Sequence, residues 1–188
     1  MKVKFTFPNK FIHDWIEIAE KYAQQDLGLN IPEEKKVDAD IWLANRMERI
    51  PKRKPRQVKV SDEFNCPTEL QLGWNNLKQK VEIGDDLFPH LTRQIKNIDS
   101  RDPMLMHWRI NHFHIGMVPD PKHAGLVQGG KHIVYAYVDD DAFYAITLLE
   151  HGHWEDIHLV EIIKRNWPDN KHICEDMILA HRYSHEKR

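Results

Sequence analysis

His132-Ile133-Val134-Tyr135-Ala136-Tyr137-Val138, then Asp139-Asp140-Asp141, then Ala142-Phe143-Tyr144-Ala145-Ile146-Thr147-Leu148-Leu149: the reading of this stretch decides the fold. Two runs rich in β-branched and aromatic residues flank three aspartates. The pattern predicts strands over 132–138 and 142–149, paired through a tight acidic turn. Side chains alternate along a strand, so Val134, Ala136 and Val138 share one face and Ile133, Tyr135 and Tyr137 the other. Both faces are apolar, and such a sheet must be covered on both sides.

Immediately upstream, residues 110–118 read as another strand. It is separated from the pair by a loop, 119–130, that holds two prolines and three glycines. Connections of this length are often functional. Downstream, Trp154, Ile157, Val160 and Ile163 keep helical spacing up to about Asn166. Glu155 and Asp156 sit in the first turn and Lys164 and Arg165 in the last, as the helix dipole prefers. Trp167-Pro168 stops that helix, and a last one starts at Asp169 or Asn170.

The first hundred residues read as mainly helical after a short strand at 2–7. Phe11, Trp15, Ile18 and Tyr22 recur at helical spacing, and Gly28 ends the run. A second helix fits 38–50. A third starts at Pro67, carries Leu70, Trp74, Leu77 and Val81, and closes at Gly84. A fourth fits 87–97, and Asp102-Pro103 opens a short helical turn. The expectation is an α+β protein. Its mainly helical region, 1–100, precedes a small antiparallel sheet with C-terminal helices, 101–188, which cover the sheet and pack with the first region as one unit.

A net charge of −2 over 188 residues gives no overall case for nucleic-acid or membrane binding, so charge must be read locally. The two cysteines, Cys66 and Cys174, are far apart and outside any C-x-x-C motif, which favours a reducing compartment. No apolar run is long enough for a signal peptide or a membrane span. These features together predict a cytoplasmic protein with no membrane partner. From Pro51 to Lys59 the chain carries five cations and no acid. One reading is a solvated linker. The other is an arm in which Lys52, Arg53, Lys54 and Arg56 follow a polyanion.

Chemistry concentrates in histidines. His112 and His114 alternate on one strand, so they share a face, with Trp108 and Arg109 just before them. His151 and His153 flank Gly152 at the start of the last predicted sheet-covering helix, where free N–H groups favour an anion. His132 follows Gly129-Gly130. Imidazole exchanges protons near neutral pH and also ligates metals. Trp108 is either core or a plate for stacking a base. There is no P-loop, G-x-G-x-x-G, H-E-x-x-H or G-x-S-x-G motif.

Helices followed by a small sheet that carries His112-Phe113-His114, then the 132–149 pair and a helix, resemble the metal-independent ribonucleases typified by barnase, EndoU, the colicin D and E5 nuclease domains and RelE. The resemblance covers roughly residues 101–167. EndoU-type members use two histidines and a basic residue around the scissile phosphate. That implies His112 or His114 with one of His132, His151 or His153, and Arg109. RelE-type members instead use Arg, Lys and Tyr, from which this His-rich sheet departs. The His-x-His strand and the Asn166-Trp167-Pro168 ending also resemble small phage- and bacteria-borne proteins of unassigned role.

Three expectations follow. The first is a ribonuclease, of the toxin kind with a neutralising protein partner, that needs no cofactor and cleaves RNA with His112, His114, His151, His153 and Arg109. His132 and Trp108 would help bind the substrate. The second is a Zn, Ni or Fe site built from His112, His114, His151 and His153. The third is a non-enzymatic interaction or regulatory protein.

Overall fold

The structure, a computed structural model, describes residues 10–25, 47–97, 100, 102–152 and 157–169. The predicted strand at 2–7, most of the predicted helix at 38–50 and the predicted last helix lie outside these. The chain divides into two compact units, one of Met1–Arg49 with Ile95–Asp99, the other of Ile50–Gln94 with Ser100–Arg188. In the first unit, helix α1 (Lys10–Gln25) forms where the periodicity placed it. Its Phe11, Trp15, Ile18 and Tyr22 are exposed, whereas Ala19 is buried.

The second unit is built on one mixed sheet. Strands β2 (Ile110–His114), β3 (His132–Val138) and β4 (Ala142–Glu150) form an antiparallel meander, and β1 (Gln57–Val60) adds parallel to β4. The expected hairpin is present. Oδ1 of Asp139 accepts from the amides of Asp141 and Ala142, at 2.8 and 2.7 Å, and closes the turn. The sheet is therefore not purely antiparallel. β1 lies inside the basic stretch read as linker or arm, and its Val58 and Val60 alternate with the polar residues.

One face of the sheet carries Ile110, Ile133, Tyr135 and Tyr137. It packs against Met104 and Trp108 of α3 (Pro103–Trp108) and Leu159, Val160, Ile162 and Ile163 of α4 (His158–Asn166). Each such side chain, fully buried, is worth about 1.5–3 kcal/mol. The opposite face carries Phe113, Val134 and Phe143, with the Phe113 and Phe143 rings 5.1 Å apart. Helix α2 (Gln71–Ile83), which contacts β1, buries Trp74, Leu77 and Val81 and ends at Gly84 with φ 74°. Gly73 seats α2 so closely on the chain that a Cβ there would lie 2.1 Å from the Ile115 carbonyl oxygen.

Part of the first half, expected to be mainly helical, lies outside the described residues, so that expectation is not confirmed, and one of its helices is replaced. Where one helix was expected over 87–97, two short 3-10 turns stand, Phe88–His90 and Arg93–Lys96. Pro89 removes an amide donor inside that span, and the backbone after His90 turns extended at Leu91 (ψ 166°). Among the described residues no helix is long and apolar enough to cross a membrane.

A single irregularity positions the site. Tyr135 pairs with Thr147 but Ala136 pairs with Ala145, so Ile146 is an extra residue in β4. Such a bulge reverses the in–out phase of everything beyond it. Leu149 therefore lies opposite Ile133, on the face of His114, and His151 continues that phase. The displaced Ile146 carbonyl is not wasted, since it accepts a hydrogen bond from the buried Ser61 hydroxyl.

Candidate active site

β2 and β4 both end, and β3 begins, at the same edge of the sheet, and there the chemistry gathers. The His114 and His151 rings approach with centroids 5.3 Å apart. Their strands are two spacings apart, roughly 10 Å, so the rings meet over the start of β3. Nε2 of His151 lies 3.2 Å from the Gly130 carbonyl oxygen, and this ring is exposed. His114 is only 6% exposed. Burial, followed by the nearby His151, His112, Arg93 and His90, holds its imidazole down to a pKa of about 4, so it is neutral at pH 7. Its Nδ1 is buried with no hydrogen-bond partner among the described residues.

A cation faces the same spot. A Cβ built on Gly129 would lie 3.2 Å from His114 Nδ1 and 3.5 Å from Arg93 Nη2. That guanidinium is half exposed, and it donates to Oδ2 of Asp120 at 3.0 Å. Asp120 is buried, and its Oδ1 accepts from the amides of Lys122 and His123 and meets His123 Nδ1 at 3.2 Å. Those hydrogen bonds, the Lys122 amide foremost, with Arg93 beside them, hold the Asp120 carboxyl at about 2. Asp120 thus stays ionised and fixes one edge of Arg93, leaving the other donors of the planar fork for a ligand. The 119–130 loop is itself ordered: Asp120 N–H donates to Leu126 O and Gln128 N–H to Val118 O, both at 2.8 Å.

The remaining predicted residues are distributed as follows. His112 shares the face of His114 but pairs elsewhere: its Nδ1 is 3.5 Å from Oδ2 of Asp102, whose Oδ1 caps α3 through the Leu105 amide. Its ring lies 6.5 Å from that of Tyr135. His132 pairs with Glu150 and so falls on the opposite face. Arg109 has φ 54° at the end of α3 and stands at the other end of β2, roughly 13 Å of strand from His114. Trp108 is core. His153 lies outside the described residues.

In the basic stretch, Arg56 is buried and donates to the carbonyls of Asp139, Lys52 and Lys54. Arg53 pairs with Asp86, and Lys54 lies 3.9 Å from Asp141. Lys52 is exposed. Arg56 is therefore a brace across the β3–β4 turn.

Arg93, Asp120 and Gly129 were not singled out from the sequence. Arg93 falls inside the helix expected over 87–97. The one available signal was the long Pro- and Gly-rich loop. Among the described residues no group of three or more His, Cys, Asp or Glu side chains is gathered so as to hold a metal ion. Comparison with protein-family models, with curated proteins and with solved structures finds no match to this chain.

Proposed function

We propose that the chain is a metal-independent ribonuclease whose proton transfers are carried by His114 and His151. The observation that carries this reading is the 5.3 Å approach of a buried, neutral imidazole to an exposed one, with Arg93 alongside. Neutral His114 takes the proton of a ribose 2′-hydroxyl, and the 2′-oxygen bonds to phosphorus. Protonated His151 gives its proton to the 5′-oxygen as the P–O5′ bond breaks. The products are a 2′,3′-cyclic phosphate and a 5′-hydroxyl. Arg93 offsets the charge that builds on the phosphoryl oxygens, and a fixed donor of this kind is worth more in a site shielded from water. His112, held by Asp102, supports the ring of His114 on the same strand.

A toxin neutralised by a protein partner, acting in the cytoplasm, is the setting proposed for this activity. The chemical test is an RNA with one 2′-deoxy position. Cleavage 3′ of that nucleotide should stop while neighbouring sites are still cut. Cleavage that ignores the missing 2′-hydroxyl would refute the mechanism.

A further inference from the structure

Gly129 has no left-handed backbone angle to explain it; what it lacks is a side chain, at the one point where His114 and Arg93 converge. The Nδ1 buried there has no hydrogen-bond partner among the described residues. A buried polar atom left unsatisfied is costly, by about 1–3 kcal/mol, and native proteins seldom keep one unless something else completes it. The half-exposed guanidinium of Arg93, pinned on one side by Asp120, lies 3.5 Å from the same built Cβ. The covering backbone is Gly129-Gly130, of which Gly130 is exposed and has nothing within 4 Å of a built Cβ. Its carbonyl oxygen meets Nε2 of the exposed His151 at 3.2 Å.

We infer that Gly129, Arg93 and Nδ1 of His114 form a covered subsite for a phosphoryl oxygen with a hydroxyl next to it. The Gly129-Gly130 backbone shifts outward to admit the ligand. The phosphoryl oxygen then accepts from Arg93, and the adjacent hydroxyl donates to the lone pair of Nδ1. An acceptor beside a fixed cation suits this vicinal pair better than a bare anion. The pair is what the 2′-hydroxyl and 3′-phosphate of a ribonucleotide present. The identity of the ligand rests on the ribonuclease reading; the subsite itself does not.

The test is a titration of the whole chain with uridine 3′-monophosphate, 2′-deoxyuridine 3′-monophosphate and inorganic phosphate, followed by NMR at the Gly129 and Gly130 amides and the His114 ring. The ribonucleotide should bind at least about fivefold more tightly than its deoxy analogue, the effect of one hydrogen bond. Arg93→Gln should weaken the two nucleotides by about tenfold or more, and Arg93→Lys, which keeps the pair with Asp120, by less. Equal binding to wild type and Arg93→Gln, or shifts only at residues far from Gly129, would overturn the subsite. If the ligands bind as expected but RNA is not cleaved, the subsite stands and the ribonuclease reading falls. If RNA is cleaved through His114 and His151 while the nucleotides bind wild type and Arg93→Gln equally, the ribonuclease reading stands and the subsite falls.

Discussion

At the scale of single residues, His114 sets the pH behaviour. Its folded pKa of about 4 lies below the value of about 6.5 for an unperturbed imidazole. Between these values the unfolded chain holds a proton that the fold does not. Stability is therefore full above about pH 6.5 and is lost as the pH falls towards 4. The shift corresponds to a loss on the order of 3 kcal/mol. His90 adds to it in the same sense, because burial lowers its pKa too while its Nδ1 lies 2.7 Å from the His114 carbonyl oxygen. Urea unfolding at pH 7 and pH 4.5 should show this drop, and His114→Gln should make it smaller. An unchanged drop would mean that His114 is not held neutral. The acid limb of kcat/KM should likewise fall near pH 4 rather than near 6.5, since that profile reports the free enzyme. The sequence made the His doublets conspicuous, but it could not select among them. Both imidazoles of the β2 doublet are buried, and which of them faces His151 and which Asp102 depends on how α3 and the 119–130 loop close over β2.

At the scale of elements, two close approaches carry clear predictions. Gly to Ala in an exposed helix interior normally stabilises by about 1 kcal/mol. Gly73→Ala should instead destabilise by about 1–3 kcal/mol, because its Cβ would meet the Ile115 carbonyl, which is backbone and cannot swing away. Thermal unfolding will give the sign, and a gain in stability would contradict the placement of α2. Ser61→Ala should cost about 1–3 kcal/mol by leaving the buried Ile146 carbonyl without its donor. It should also reduce cleavage, because the bulge sets the phase of His151. Full activity with lowered stability would detach the bulge from the site. The hairpin and α2 were legible because their periodicities are unbroken. The bulge was not: Ile146-Thr147-Leu148-Leu149 offers apolar residues in either phase, and only pairing with β3 chooses between them. β1 was hidden by its charges, which drew attention from the alternation of Val58 and Val60.

At the scale of the whole molecule, the segment that follows β1 is tied to α4. Arg165 donates to both oxygens of Asp62, at 3.0 and 2.8 Å, and to Glu63, while Nε2 of His158 meets Glu63 at 2.9 Å. Hydrogen bonds from Arg165 and Asn166 hold the Asp62 carboxyl at about 2. The cluster is exposed, so salt weakens it. Arg165→Ala should lower Tm at low ionic strength and have a smaller effect in 1 M salt, which calorimetry can read. No periodicity reveals such a tie across more than a hundred residues. The central claim concerns the two rings at the far edge of the same sheet. It is tested most directly by measuring the rate at which the purified chain cuts single-stranded RNA in the presence of a metal chelator. The expected result is cleavage to 2′,3′-cyclic phosphate ends, lowered roughly 100-fold or more by either His114→Ala or His151→Ala in folded protein. Absence of cleavage, or variants that cut as fast as the wild type, would contradict it.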